Sequence, residues 1–227
     1  MIKAIITDIE GTTSSLSFVK EVLFPYSRQQ LPDYVRRHHS EPQVSEIVSA
    51  VKSLMHNSAA TVEEVIAQLL SWIDQDQKIT PLKALQGLIW EAGYRNGDFT
   101  GHLYEDAARN LRRWHEQGIA LYVFSSGSVY AQKLLFGFSD FGDLTPLFSG
   151  YFDTTSGNKG EAGAYRTILQ AINTPAAATL FLSDIRAELD AAATAGMQTT
   201  WLVRDHPTSP HEVHRQVQSF DDIVLAQ

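Results

Sequence analysis

The sequence predicts an α/β fold in which a helical insert interrupts a parallel β-sheet after its first strand. Short apolar runs that end in polar loops alternate with helical patterns, which is typical of βαβ units. The stretch from residue 18 to 96 differs, because it shows helical patterns and no convincing strand. A chain of 227 residues is long enough for one large domain, or for a core with a smaller companion.

The predicted strands are short, nearly continuous apolar and β-branched runs, which is the pattern of strands covered on both faces. They are Ile2–Asp8, Ala120–Phe124, Phe148–Phe152, Thr179–Leu182 and Thr199–Val203.

Helices are predicted from apolar spacing of three and four residues. Those between the later strands are Tyr104–Gln117, Val129–Phe138, Gly163–Ile172 and Arg186–Ala195. Those of the insert are Lys20–His39, interrupted by Pro25 and Pro32, then Val44–Met55, Val62–Gln75 and Leu82–Ala92. We therefore assign residues 1–15 and 100–227 to an α/β core and residues 16–99 to a helical domain.

Composition restricts the partners and the compartment. The formal net charge of −8 disfavours nucleic acid and anionic membranes, since no strong basic patch offsets it. No apolar run is long enough to cross a bilayer. The absence of cysteine excludes a thiol nucleophile and fits a reducing compartment. We expect a cytoplasmic monomer that acts on a small molecule.

Polar side chains follow three of the predicted strands at the point where each ends. Asp8 closes the first strand and Glu10 follows it; Ser125 and Ser126 follow the second, and Asp184 follows a later one. In an open parallel sheet, ligands bind in the crevice outside these carboxyl ends. We therefore expect the five side chains to face one site.

This set of residues suits phosphate-ester hydrolysis. A carboxylate such as Asp8 can attack phosphorus and form an aspartyl phosphate. A cation must separate that anion from the phosphate, and Asp8 with Asp184 supplies the hard oxygens that Mg²⁺ prefers. Glu10 can protonate the leaving oxygen and then activate water.

The phosphate would be held by the serine loop and by a lysine. Ser125 and Ser126 precede a helix start, where backbone N–H groups favour anions. Lys159 lies in a polar loop that could reach the same crevice. Each residue also has a plain structural alternative: Asp184 could cap the next helix, Lys159 could be a solvated surface lysine, and Glu188 could support a metal or lie exposed.

Other chemistries find little support. The eight histidines show no pairing at metal-ligand spacing, and we interpret His206, His211 and His214 as surface residues. No glycine-rich nucleotide-binding loop occurs, which argues against a nucleotide cofactor.

Four segments together resemble the signature of the haloacid dehalogenase superfamily and, more closely, the enolase-phosphatases of methionine salvage. The segments are Asp8–Thr13, Tyr122–Gly137, Phe152–Lys159 and Phe181–Asp184, with Leu85–Tyr94 similar to the helical cap of those enzymes. Glu10 stands where most of the superfamily carries aspartate. The resemblance covers essentially the whole chain.

The resemblance implies a Rossmann-like catalytic core with a helical cap, one Mg²⁺, and conversion of a phosphorylated methylthio-diketone to acireductone through an enol. The implied catalytic residues are Asp8, Glu10 and Lys159. The implied substrate-binding residues are Ser125, Ser126 and Lys159. The implied metal ligands are Asp8, Glu10 (through its backbone carbonyl) and Asp184.

Two alternatives compete with this assignment. One is a generic Mg²⁺-dependent phosphatase of small metabolites, of the phosphoglycolate type, within the same superfamily. The other is a catalytically silent binding protein on the same fold, which is disfavoured because it would lack a nucleophile or a metal ligand and none is missing from this sequence.

Overall fold

The computed structural model describes residues 1–209 and 211–225, so the predicted core range includes residues 210, 226 and 227 outside the described part. Its sheet has six parallel strands in the order β3-β2-β1-β4-β5-β6. The strands are β1 (Ala4–Thr7), β2 (Ala120–Phe124), β3 (Phe148–Phe152), β4 (Thr179–Ser183), β5 (Gln198–Leu202) and β6 (Arg215–Val217). The predicted α/β fold is confirmed.

The chain divides into two compact units, one of residues 1–16 with 100–227 and the other of residues 17–99. The second unit is helical. It contains a π-helical turn at Phe18–Leu23, then α1 (Phe24–His38), α2 (Pro42–Leu54), α3 (Val62–Asp74) and α4 (Thr80–Asn96). Its core is a cluster of aliphatic side chains from all four α-helices, among them Leu31, Val51, Leu69 and Leu85.

One detail of the insert was predicted wrongly. Pro32 lies inside α1, and the helix continues through it without interruption. A proline removes one backbone donor and crowds the preceding turn, which ordinarily favours a break. Here Leu31 and Val35 on either side of it are fully buried, and their packing outweighs that preference.

The first unit covers its sheet with α5 (Glu105–Glu116), α6 (Val129–Gly137), α7 (Ala162–Ile172) and α8 (Arg186–Thr194). On one face, Ile6, Phe124 and Phe181 pack against α7 and α8. Elsewhere in the unit, Trp114 of α5 stacks on Phe220 with ring centroids 5.6 Å apart, and both side chains are fully buried.

Two features of the first unit differ from expectation. Strand β6 was not predicted, because it has only three residues and just one of them, Val217, is buried. His214 is buried rather than on the surface, since its ring nitrogens contact Thr199 Oγ1 at 2.7 Å and Asp190 Oδ1 at 2.8 Å. It ties the segment before β6 to β5 and α8.

The strand order places a crevice between β1 and β4, where successive connections leave in opposite directions along the sheet. The Asp8 amide donates to the Leu182 carbonyl at 2.9 Å, so the two strand ends lie side by side. None of the described helices combines the length and apolarity that a membrane span needs.

Candidate active site

The loop that follows β1, residues 8–14, is called the nucleophile loop below. It turns tightly, because the amides of Thr12, Thr13 and Ser14 all donate to the Ile9 carbonyl at 2.9–3.1 Å. Gly11 makes this turn with φ +74°, a conformation that residues with a Cβ rarely adopt. The turn leaves Asp8 buried at the strand end and brings Glu10 to the rim of the cavity described below.

Asp8 is paired with a buried lysine. Lys159 Nζ lies 2.6 Å from Asp8 Oδ1 and 2.8 Å from Glu188 Oε2, and its side chain is only 7% exposed. Burial alone would lower the pKa of Lys159, yet the charges of Asp8 and Glu188 raise it above its ordinary value. The lysine is therefore a fixed positive charge between two carboxylates, and the surface alternative for it is excluded.

The chain holds Lys159 in place from its backbone. The Tyr165 hydroxyl of α7 donates to the Lys159 carbonyl at 2.8 Å. The ammonium group also lies 5.6 Å from the centre of the Phe124 ring. Both contacts come from side chains of the packed core, so the loop after β3 delivers its lysine to a defined position.

Asp184 carries an unpartnered buried oxygen. No hydrogen-bond partner for its Oδ1 is found in the part of the chain that the structure describes. Burial, and next the negative charge of Asp8, raise the pKa of Asp184 to about 7. Gly11 packs directly against this carboxylate, since a Cβ there would lie 2.2 Å from Asp184 Oδ2. A cation bound at this carboxylate would give its free oxygen a partner and would stabilise its ionised form.

Glu188 belongs to the same cluster. Its Oε2 accepts a hydrogen bond from Ser183 Oγ at 2.9 Å in addition to the contact with Lys159. Burial, followed by the charge of Asp8, raises the pKa of Glu188. Of the two alternatives open for this residue, the exposed-helix one is excluded.

The serine loop after β2 is built by local hydrogen bonds. Ser125 is buried and its Oγ accepts from the Gly127 amide at 3.1 Å, whereas Ser126 is exposed. Ser128 caps α6 by accepting from the Ala131 amide at 3.3 Å. Gln132, which the sequence did not single out, donates to the Gly127 carbonyl at 2.8 Å and braces the loop.

A cavity of about 110 Å³ lies at this edge of the sheet, within the first unit. All of the predicted site residues line it, namely Asp8, Glu10, Ser125, Ser126, Lys159 and Asp184. Glu188, Leu16 and Ile185 line it as well. The position of Glu188 one helical turn after Asp184 hinted at its place, but nothing in the sequence marked the two aliphatic residues.

No group of three or more His, Asp or Glu side chains among residues 1–209 and 211–225 is placed to hold a metal ion alone. Of the four carboxylate residues that line the cavity, Asp8 and Asp184 are the ones predicted to offer side-chain oxygens to a metal. A cation such as Mg²⁺, which keeps several waters and takes few carboxylates, fits this donor set and the unpartnered Asp184 oxygen.

Comparison with known proteins shows the family of the chain. Residues 2–196 match the family model of the haloacid dehalogenase-like hydrolases. The chain is 58% identical over 223 residues to the enolase-phosphatase E1 of Methylococcus capsulatus, with 98% of each chain covered. It is 56% identical over 227 residues to the enolase-phosphatase E1 of Pectobacterium carotovorum, covering 100% of this chain and 99% of the relative.

A solved structure shares the whole fold. The UTR4 protein of Saccharomyces cerevisiae superposes with a TM-score of 0.84 at 35% identity, covering 98% of this chain and 100% of that one. Since family model, relatives and fold agree over nearly the full length, the chain belongs to the enolase-phosphatase E1 family of the haloacid dehalogenase-like hydrolases.

Proposed function

We propose that the chain converts 2,3-diketo-5-methylthiopentyl-1-phosphate to acireductone and phosphate in methionine salvage. It enolises the diketone first and then dephosphorylates the enol. The observation that carries the proposal is the buried contact of 2.6 Å between Asp8 and Lys159 at the β1–β4 crevice, in a chain 58% identical to an enolase-phosphatase E1.

Asp8 is the proposed nucleophile. Its carboxylate attacks phosphorus, the bond from phosphorus to the substrate oxygen breaks, and an aspartyl phosphate forms. Glu10 supplies the proton to the departing oxygen and in the second step takes a proton from the attacking water. Phosphate then leaves and Asp8 is regenerated as a carboxylate.

Lys159 offsets the negative charge of this site. Before the reaction it pairs with Asp8; afterwards its ammonium group can pair with the phosphoryl oxygens at the same position. Glu188 contacts the same nitrogen at 2.8 Å and therefore keeps the ammonium group in position when phosphate leaves. Ser125, Ser126 and the amides at the start of α6 are the proposed phosphate donors.

The proposed metal ligands are Asp8, Asp184 and the backbone carbonyl of Glu10. Supporting this set are the unpartnered Asp184 oxygen and the missing Cβ at Gly11, which lets the loop approach Asp184. When bound, Mg²⁺ would neutralise charge between nucleophile and phosphate and so allow two anions to meet.

An apolar rim fits the tail of the substrate. The cavity of about 110 Å³ is lined mainly by charged and hydroxyl side chains, which suit a phosphate group better than an apolar tail. Its aliphatic lining comes from Leu16 and Ile185, which are 47% and 46% exposed, so we place the methylthio end against these two side chains. Aliphatic surface beside polar anchors is what a mixed ligand of this kind requires.

We further infer that the enzyme acts in the cytoplasm as a monomer, without nucleic-acid partners. The net charge of −8 supports the last point. Size-exclusion chromatography with light scattering tests whether the protein is a monomer. A stable dimer would contradict this inference.

The testing experiment supplies the phosphorylated methylthio-diketone and records enol absorbance and phosphate release together. We expect an enol that rises before phosphate does, and no reaction of either kind in EDTA. Phosphate release with no enol at any time would reduce the function to that of a generic phosphatase. If neither enol nor phosphate formed, the proposal would be refuted.

A further inference from the structure

Arg204 stands apart from the strand-end residues discussed so far. It follows β5, and its φ of 22° lies in the left-handed region that residues with a Cβ rarely adopt. Its side chain is only 11% exposed, which is unusual for an arginine. A strained backbone and a buried charge are both unfavourable, so together they indicate that the fixed position of this side chain has a functional role.

The guanidinium group reaches the nucleophile loop. Its Nη2 donates to the Thr12 carbonyl at 2.5 Å, while Nη1 lies 2.7 Å from Asp106 Oδ2. The Tyr104 ring lies 4.0 Å from the guanidinium carbon, as in a cation–π contact. The planar fork of arginine presents a separate nitrogen to each of the two oxygens, whereas a lysine has a single ammonium nitrogen.

The loop transmits this contact to both proposed carboxylates. Thr12 follows Gly11, which packs against the Asp184 carboxylate. The Thr13 hydroxyl donates to the Asp8 carbonyl at 3.2 Å. A shift of the Thr12 peptide would therefore change the spacing between Asp8 and Asp184.

A second set of contacts ties residues 102–104 to the same loop. The Tyr104 amide donates to the Thr13 carbonyl at 2.9 Å, and the amide of Ser15, which directly follows the loop, donates to His102 Nδ1 at 3.1 Å. Arg204 thus completes a row of hydrogen bonds along one side of the nucleophile loop. It also pairs with the Asp106 carboxylate, which links the row to helix α5.

We propose that Arg204 is a positioning residue: held by Asp106, it fixes the nucleophile loop so that Asp8 and Asp184 keep the spacing that metal binding and phosphoryl transfer require. This inference rests on the proposed function of those two carboxylates. A buried ion pair adds little net stability compared with apolar packing, so positioning is the better account of why it is present.

The rival account is that the pair only anchors the C-terminal segment. Asp106 also accepts hydrogen bonds from Ser219 Oγ at 2.9 Å and from the Phe220 amide at 2.7 Å. Arg109 provides a matched control, because it contacts Asp221 of the same segment from the same helix α5, at 2.5 Å. Its hydrogen bonds go to Glu105 and Asp221 and not to the nucleophile loop.

The experiment compares Arg204→Met, Arg204→Lys and Arg109→Met with the wild type. Thermal unfolding checks folding, steady-state kinetics give kcat and KM, and calorimetric titration with MgCl₂ alone gives metal affinity without turnover. For Arg204→Met we expect kcat to fall about 10- to 100-fold at little-changed KM. We expect its Mg²⁺ affinity to fall about tenfold.

Arg204→Lys keeps the charge without the fork, so we expect intermediate values, and it decides the matter if Arg204→Met does not fold. Arg109→Met should keep kcat and Mg²⁺ affinity within about twofold of wild type, as surface ion pairs contribute little. Folded Arg204 variants with wild-type kcat and metal affinity would overturn the inference, as would equal losses in the control. A wild type that neither binds Mg²⁺ nor releases phosphate would instead refute the proposed function itself.

Discussion

Asp184 gives the sharpest prediction, because in the metal-free protein it opposes folding. The pKa of its carboxyl is raised from 3.8 to about 7 by burial and by the charge of Asp8. At 1.36 kcal/mol per pKa unit, ionising it in the folded state costs at most about 4 kcal/mol. Water still reaches part of this side chain and screens the effect, so we expect about 2 kcal/mol.

The sign of the pH dependence follows from linkage. The folded-state pKa is the higher one, so the unfolded protein loses this proton first as pH rises. The penalty is small near pH 4, grows between pH 4 and 7, and is complete by pH 8. Metal-free wild type should therefore lose stability over this range, relative to a variant that cannot ionise here.

The perturbation is Asp184→Asn, examined by thermal unfolding in EDTA at pH 4 and pH 8. At about 2–4 °C per kcal/mol for a chain of this size, we expect the variant to melt about 4–8 °C above wild type at pH 8. The difference should nearly vanish at pH 4. Glu46→Gln removes the same charge at an exposed site on α2 and should change Tm little at either pH.

Mg²⁺ should reverse the order at pH 8, since it stabilises only a protein that binds it. An Asp184→Asn variant that melts no higher than wild type in EDTA at pH 8 would refute the reasoning. An equal gain at pH 4 would also refute it, because the carboxyl is protonated there.

Three further predictions concern activity. Asp8→Asn should abolish turnover while circular dichroism shows that the fold is intact; residual turnover above about 0.1% would exclude covalent catalysis by this residue. Lys159→Met should lower kcat at least about 100-fold and destabilise the fold by about 3–5 kcal/mol, because it leaves two buried carboxylates without their cation; a small effect on chemical denaturation would contradict the pairing. Leu16→Ser with Ile185→Ser should raise KM about 10-fold for the methylthio substrate and leave KM for a phosphorylated diketone with a methyl tail unchanged; equal changes for both substrates would rule out the apolar rim.

Much of this site could be predicted from strand ends alone. Asp8, Ser125 and Asp184 each follow a recognisable apolar run, and parallel strands bring their carboxyl ends to one edge of a sheet. The order of strands was not needed for that inference. The position of Lys159 was harder to predict, because a loop sequence does not show where its side chains lie. The contacts that place this lysine come from Tyr165 and Phe124 in the packed core.

The rest depends on contacts between residues far apart in the chain. Arg204 and Asp106 are 98 positions apart, and neither lies in a motif. His214 sits in a polar stretch, so nothing in the pattern reveals that Thr199 and Asp190 enclose it. Strand β6 has only three residues, too few to show a periodic pattern. Helix α1 continues through Pro32 because of packing with other helices, which the local sequence does not reveal.

The central claim, a covalent phosphoryl transfer to Asp8 in an enolase-phosphatase, has a direct test. The wild type is mixed with the phosphorylated methylthio-diketone in Mg²⁺, quenched in acid during the first turnover, and digested for peptide mass mapping. The account predicts a phosphoryl group on the peptide that contains Asp8, appearing after the enol and decaying as free phosphate forms. The claim would be contradicted if phosphate were released during the first turnover and the peptide that contains Asp8 were unmodified at every quench time.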